Sequence, residues 1–135
     1  MDIKYTRPVS DTIRKAIEIA MDMHHELIEP EHLLMALLAD DDFAMSYSEA
    51  GGSVSELFAD VRKNLQGKKN NAEGSKTPNM SSQMQEIFAR SAMTVSKSGN
   101  IPIGIAHLAG SILGLPDSEA QDIFKKHLKG MIRLH

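Results

Sequence analysis

The sequence of 135 residues contains no cysteine and no tryptophan, and aromatic residues make up only 4% of it. Without cysteine, the chain has neither disulfides nor a thiol nucleophile. The first residues, MDIKYTRP, contain no apolar run of the signal-peptide kind, and no segment approaches the roughly 20 apolar residues that span a bilayer. A formal net charge of −3, with interspersed signs, gives no basic face for phosphates. We therefore expect a cytoplasmic protein with no membrane and no nucleic-acid partner.

The apolar residues that are present favour packed helices over sheets. Hydrophobic residues make up 41% of the chain, and nine methionines supply part of the missing aromatic volume. β-Sheets favour β-branched and aromatic residues, whereas Leu, Ile, Met and Ala suit helix packing. A chain of this length also builds a core without disulfides or metals. We expect one all-α domain over residues 1–135.

Two helices and the corner between them open the chain. Apolar residues recur at three- and four-residue steps from Val9, which predicts a helix over about 8–25. Pro30 has the fixed φ that suits a first helical turn, and Glu31 favours the positive end of the second helix, EHLLMALL. Two shorter helices are expected after the acidic turn ADDD, the second of them capped by Ser53 with Glu56 three residues later. The pattern predicts a first repeat of about four helices over about 8–65.

A second copy of this unit follows a polar segment. Residues 66–79, QGKKNNAEGSKTPN, have no apolar periodicity and several helix breakers, so they predict a surface linker. Aligning MHHELIEPEHLLMALL with VSKSGNIPIGIAHLAGSIL pairs His32 with His107, with a few extra residues allowed at the second turn. This internal duplication predicts a second repeat over about 80–130.

The second repeat ends early. Asp117 or Ser118 is expected to cap a helix through SEAQDIFKKHL, which corresponds to FAMSYSEAG in the first repeat. Only GMIRLH remains where SVSELFADVRKNL stood. We therefore expect the last helix of the second repeat to be shortened or missing.

The stretch HHELIEPEH is either a metal site or the corner between two helices. The segment from His25 to Glu29 resembles the helical zinc motif with Glu in place of its second His. Pro30 disfavours helix at Glu29, so two ligands would not share one helical face. At a helix C-terminus the dipole favours the imidazolium form of histidine, and bonding to backbone is then the simpler role. We favour the corner over a metal site formed by His24, His25, Glu26 and His32.

Catalytic motifs are incomplete. Gly99 and Gly104 have the glycine spacing of a phosphate loop, but Ile105 stands where the lysine belongs. No Gly-x-Ser-x-Gly elbow is present. We therefore expect no catalytic residue, no cofactor and no bound metal, and we do not expect the domain itself to be an enzyme.

Three segments carry a family resemblance. EHLLMALLADD, SEAGGSVSELFADVRKNL and VSKSGNIPIGIAHL are similar to the repeat signatures of the amino-terminal domain of Clp-family AAA+ unfoldases, of the ClpA/ClpC kind. The resemblance covers roughly residues 9–130. It implies an all-α fold of two pseudo-twofold repeats, each of about four helices, joined by the linker.

The resemblance also implies a function and partners. In these unfoldases the domain sits above the ATPase rings, receives adaptors such as ClpS-like proteins, and captures substrates for unfolding and for the Clp peptidase. The expected partners are therefore an adaptor, unfolded or tagged substrate proteins, and the ATPase and peptidase of the parent assembly. Within these 135 residues no ATP chemistry is expected.

Glu31 is the candidate binding residue. In ClpC-like relatives, a Thr-Glu pair ahead of His-Leu-Leu in each repeat contributes to recognition of phosphorylated arginine. Glu31 matches that glutamate, whereas Pro30 replaces the threonine, and Ile105-Ala106 replaces both residues in the second copy. The resemblance thus implies substrate or adaptor binding at Glu31, without a complete pair of phosphoarginine sites.

Two alternative functions stay open at this point. The chain is a free-standing adaptor that resembles the Clp domain, or it is a metal-binding protein that uses the histidine cluster named above. Whether the gene continues past His135 into a phosphate-loop ATPase distinguishes the free-standing adaptor from a domain of an unfoldase. Elemental analysis of untagged protein tests the metal-binding alternative.

Overall fold

The computed structural model describes residues 3–68 and 77–133, with side chains as far as residue 128. Within this part the chain forms helices and two very short strands, which confirms the all-α fold class. None of the described helices is both long and apolar enough to cross a membrane. The helices are α1 (Arg7–Asp22), α2 (Pro30–Leu38), α3 (Asp41–Glu49), α4 (Val54–Gln66), α5 (Ser82–Lys97), α6 (Ile105–Leu113) and α7 (Glu119–Arg133), and the strands are β1 (Leu27–Ile28) and β2 (Asn79–Met80).

Polar side chains cap the helices at serines that the sequence indicates. The hydroxyl oxygen of Ser53 accepts a hydrogen bond from the backbone N–H of Glu56 at the start of α4. Ser118, rather than Asp117, accepts from the N–H of Gln121 and caps α7. Each bond satisfies one of the N–H groups that a first helical turn leaves without a partner.

Helix α1 ends at Asp22, three residues before the predicted end. His24 has a left-handed φ of 59°, and the N–H of His25 donates to the carbonyl oxygen of Ala20 at 2.8 Å. This arrangement closes a helix whose chain turns left-handed just beyond its C-terminal cap. Apolar periodicity did not reveal it because glycine usually occupies that position, as Gly99 does after α5 with a φ of 86°.

The two repeats run in step along the chain. Thr6 caps α1 and Ser81 caps α5, while the rings of His32 and His107 hold the first turns of α2 and α6. In both pairs the second residue lies 75 positions after the first. The two pseudo-twofold repeats are therefore confirmed. The expectation of a few extra residues at the second turn is wrong, because the α1–α2 and α5–α6 turns have the same length.

The repeats exchange short extended segments. Strand β1 pairs in parallel with β2, so that Ile28 lies opposite Met80. Tyr5 forms the equivalent parallel bridge with Ile103. Each pair joins the segment before the first helix of one repeat to the segment after the first helix of the other. The predicted linker lies mainly on residues 69–76, outside the described part.

Helix α7 is the last described helix of the second repeat. It continues from Glu119 through GMIR to Arg133, whereas the first repeat divides the corresponding stretch between α3 and α4. Among the described residues the second repeat therefore has three helices and the first has four. This confirms the prediction that the last helix of the second repeat is shortened or missing.

Both repeats contribute to one core. Val9, Met84 and Ile87 are fully buried, as the helical pattern predicts. Ile17 and Phe88 are partly buried and pack against its edge. The largest fully buried side chains are Ile28, Leu33, Leu34, Leu37, Leu57, Leu65, Met84, Ile87, Ile103, Leu108, Ile112 and Leu115.

Candidate functional site

The corner between α1 and α2 is held by two buried histidine rings. The backbone N–H of Glu29 donates to Nδ1 of His32 at 2.8 Å, so the neutral His32 ring carries its proton on Nε2. That Nε2–H donates a hydrogen bond to Nδ1 of His25 at 2.8 Å. The histidine that bonds the backbone at this corner is therefore His32, whereas His25 of the adjacent pair His24–His25 bonds the His32 ring instead.

Both rings are neutral at pH 7. Burial, together with the nearby His25 and Lys68, lowers the pKa of His32 to about 4. Burial also lowers the pKa of His25, with Lys68 acting in the same direction. The expectation that the helix dipole keeps His25 as imidazolium is wrong, because the loss of hydration in the core outweighs the dipole.

The candidate metal ligands are not gathered around one point. His24 and Glu26 lie on the exposed side of the corner, while His25 and His32 face each other inside it. Over residues 3–68 and 77–133, no group of three or more His, Asp or Glu side chains is arranged to hold a metal ion.

Glu31, the candidate binding residue, is buried beneath a lysine. Its side chain is 1% exposed, and its Oε2 atom has no hydrogen-bond partner. The Nζ atom of Lys68 lies 3.7 Å from its Oε1. Burial raises the pKa of Glu31, although its own backbone hydrogen bond and the charge of Lys68 act in the opposite direction.

Lys68 links this carboxylate to the second repeat. Its Nζ donates to Oε2 of Glu119 at 2.9 Å, and the side-chain amide of Asn64 donates to the same oxygen. Burial alone lowers the pKa of Lys68, but the bond to Glu119 and the charge of Glu31 outweigh it and raise that pKa. The lysine therefore stays charged and joins the end of α4, the start of α2 and the start of α7.

A groove of about 400 Å³ lies where the extended residues before α1 meet the outer face of α5. Ile3, Met93 and Ile101 line it with exposed apolar side chains. The charged residue among its lining is Lys4. Exposed apolar side chains that cluster in a concave surface are typical of a site that contacts another molecule.

Three apolar residues that line the groove have charged counterparts in the first repeat, whereas Ala92 and Val95 have apolar ones. Each lining residue of α5 has a counterpart 75 positions earlier, on α1 or at the corner. The fold therefore does not require apolar residues on this face. The counterparts of Ala89, Met93 and Ile101 are Arg14, Glu18 and Glu26, and all three of these are exposed.

Sequence reasoning missed this groove. Met93 and Ile101 follow no helical stripe, and Ile3 precedes the first predicted helix. A comparison of the two repeats at the 75-residue offset would have revealed it, because apolar residues in one copy stand against charged residues in the other.

These features define a class of protein, the duplicated all-α repeat domain with an exposed apolar groove on one repeat. The chain belongs to the family described as the Clp repeat (R) N-terminal domain, whose family model matches residues 4–127. The resemblance that the sequence carries is therefore confirmed. A search of curated proteins found no match.

Solved structures share the fold at low sequence identity. The Hsp104 N-terminal domain from Candida albicans is 17% identical with a TM-score of 0.77, covering 92% of this chain and 81% of that one. The N-terminal domain of the ClpV1 ATPase from E. coli EAEC Sci1 T6SS is 16% identical with a TM-score of 0.73, covering 97% and 83%. A chain in a structure described as "Peptide from EAEC T6SS Sci1 SciI protein" is 16% identical with a TM-score of 0.75, covering 97% and 86%.

Proposed function

We propose that this chain is the non-catalytic protein-binding domain of a Clp ATP-dependent unfoldase, and that it receives adaptors and substrate proteins in the cytoplasm. One observation carries the proposal. The groove formed by Ile3, Met93 and Ile101 is apolar and open, whereas the counterparts of Met93 and Ile101 in the first repeat are glutamates. Membership of the family and the peptide named in one related structure support it.

The groove suits an apolar segment of a partly unfolded protein. Such a segment buries its side chains against Met93 and Ile101, and an acidic residue beside it pairs with Lys4. A contact of this size is small by the standards of stable complexes, so we expect micromolar affinity. That affinity suits a domain that must pass its substrate on.

Binding of an unfolded protein tests the proposal. Isothermal titration calorimetry would use a permanently unfolded, reduced and carboxymethylated protein, and separately a ClpS-like adaptor. Met93→Glu places in the second repeat the residue type that Glu18 supplies in the first, and we expect it to weaken binding of the unfolded protein about tenfold or more. Met45→Glu on α3 is the matched control, since Met45 is 60% exposed against 63% for Met93. Saturable binding that both variants retain equally would overturn the groove assignment.

Glu31 is a second proposed contact, for a cationic side chain of a partner. Its Oε2 is buried without a hydrogen-bond partner, so a guanidinium group that displaced Lys68 would satisfy it. Glu31→Gln should then weaken binding of an arginine-containing peptide and leave binding of an apolar peptide unchanged. Equal loss for both peptides would contradict this role.

A further inference from the structure

We propose that Met93 is a reversible oxidation site that controls the apolar groove, an inference that rests on the proposed function of that groove. Met93 is 63% exposed, lies on the outer face of α5 and lines the groove. With no cysteine in the chain, sulfur chemistry here belongs to methionine alone.

The reaction needs a hydroperoxide. One oxygen atom passes from the peroxide to the thioether sulfur of Met93, which loses two electrons and becomes a sulfoxide, while hydrogen peroxide is reduced to water. Methionine sulfoxide reductases return the oxygen to water at the expense of a thiol reductant. The change turns a flexible apolar side chain into a polar one without breaking the chain.

The fold tolerates a polar side chain at this position. The residue 75 positions earlier is Glu18, which is exposed on α1 in the equivalent helix of the first repeat. Oxidation of Met93 therefore leaves α5 intact and changes only what the groove presents. Met84, on the same helix, is fully buried in the core and is protected from peroxide.

The sulfoxide weakens binding because its oxygen needs water. An apolar segment that fills the groove removes water from Ile3, Ile101 and Met93 together. After oxidation, the same segment strips a strongly polar group of its hydration and gains no hydrogen bond in return. We expect about tenfold weaker binding of an apolar segment.

Peroxide treatment of the full chain tests the inference. The probe is a fluorescent, reduced and carboxymethylated unfolded protein, and peptide mass mapping records oxidation at each methionine. Met93→Leu keeps the groove apolar and resists oxidation, and Met45→Leu is the control for an equally exposed methionine on α3. Circular dichroism before and after treatment monitors the fold.

We expect wild type and Met45→Leu to lose binding in proportion to oxidation at Met93, and to recover it with both sulfoxide reductases and a thiol. Met93→Leu, whatever its starting affinity, should bind equally well before and after the same peroxide dose. Loss of binding by Met93→Leu equal to that of wild type, or full binding by wild type oxidised at Met93, would overturn the inference alone. Absence of binding before any treatment would overturn the proposed function, and this inference with it.

Discussion

The Nδ1 atom of His25 lies 2.8 Å from the Nε2 atom of His32, and the contact has no room for another proton. His32 already uses Nδ1 to accept from the N–H of Glu29, and His25 uses Nδ1 to accept from His32. A proton added to either accepting nitrogen places two donors against each other. The corner between α1 and α2 therefore depends on two neutral rings.

Acid should weaken the fold through this pair. The pKa of His32 is about 4 in the folded chain, whereas an unfolded histidine titrates near 6.5. Between pH 6.5 and pH 4 the His32 imidazole is protonated in the unfolded chain but neutral in the folded chain. The free energy of unfolding is therefore unaffected by this group above pH 6.5 and falls progressively as the pH is lowered towards 4. We expect a loss of about 3 kcal/mol over that window, measured by urea unfolding at each pH.

Glu31 acts in the opposite direction in the same experiment. Its pKa is raised in the folded chain, so its protonation stabilises the fold as the pH falls through that raised value. The Glu31→Gln background removes this contribution, while Glu119 and Asp60, whose pKa values are lowered by their hydrogen bonds, add a loss of the same sign as the histidines. An NMR titration that places His32 near 6.5 in the folded chain would contradict the acid prediction.

Lys68 and Glu31 should show strong thermodynamic coupling. Lys68→Ala leaves a buried carboxylate without a cation, and we expect it to cost about 1–3 kcal/mol at pH 7. In the Glu31→Gln background the same substitution leaves only Glu119 without its lysine, and the Asn64 amide still donates to that carboxylate, so the substitution should cost much less. The double-mutant cycle is measured by urea unfolding. Equal costs in both backgrounds would show that the lysine does not compensate Glu31.

The two equivalent caps should contribute about equally. Thr6 accepts from the N–H of Val9 at 3.4 Å and Ser81 from the N–H of Met84 at 3.2 Å. Removing either cap should lower the free energy of unfolding by about 1 kcal/mol. Thermal unfolding of Thr6→Ala and Ser81→Ala measures both, with Ser82→Ala as the control because Ser82 lies one residue inside α5. A negligible effect of one substitution would break the equivalence of the repeats.

Gly52 should not tolerate alanine. A Cβ atom at this position would overlap the ring of Tyr47, which is itself buried. Moving that ring should cost about 1–3 kcal/mol. Gly110→Ala in α6 is the matched control, since its Cβ would meet nothing within 4 Å and alanine favours a helix. Circular dichroism during heating should show a lower midpoint for Gly52→Ala only.

Periodicity in the sequence predicts much of this fold. The apolar face from Val9 to Ala20, Pro30 at the start of α2 and the capping by Ser53 all appear in the structure as expected. These features depend on residues within one or two turns of each other. Local patterns therefore carry the information that positions the helices.

The site depends on contacts that no local pattern contains. Lys68 reaches Glu119 across 51 positions of sequence, and the groove joins Ile3 to Ile101. The burial of Glu31 follows from the packing of three helices, which a charged residue at a helix start does not indicate. The sequence proposes Glu31 as a binding residue, but no local pattern shows that Lys68 covers it.

Each repeat supplies the strand partner for an extended segment of the other repeat. Tyr5 lies beside Ile103, and Ile28 lies beside Met80, so neither half of the chain contains both members of its own pairs. A peptide bond cut within residues 69–76 would therefore yield two fragments that each lack partners the other carries. Such fragments should find each other in solution and restore the domain, and neither should hold its shape alone.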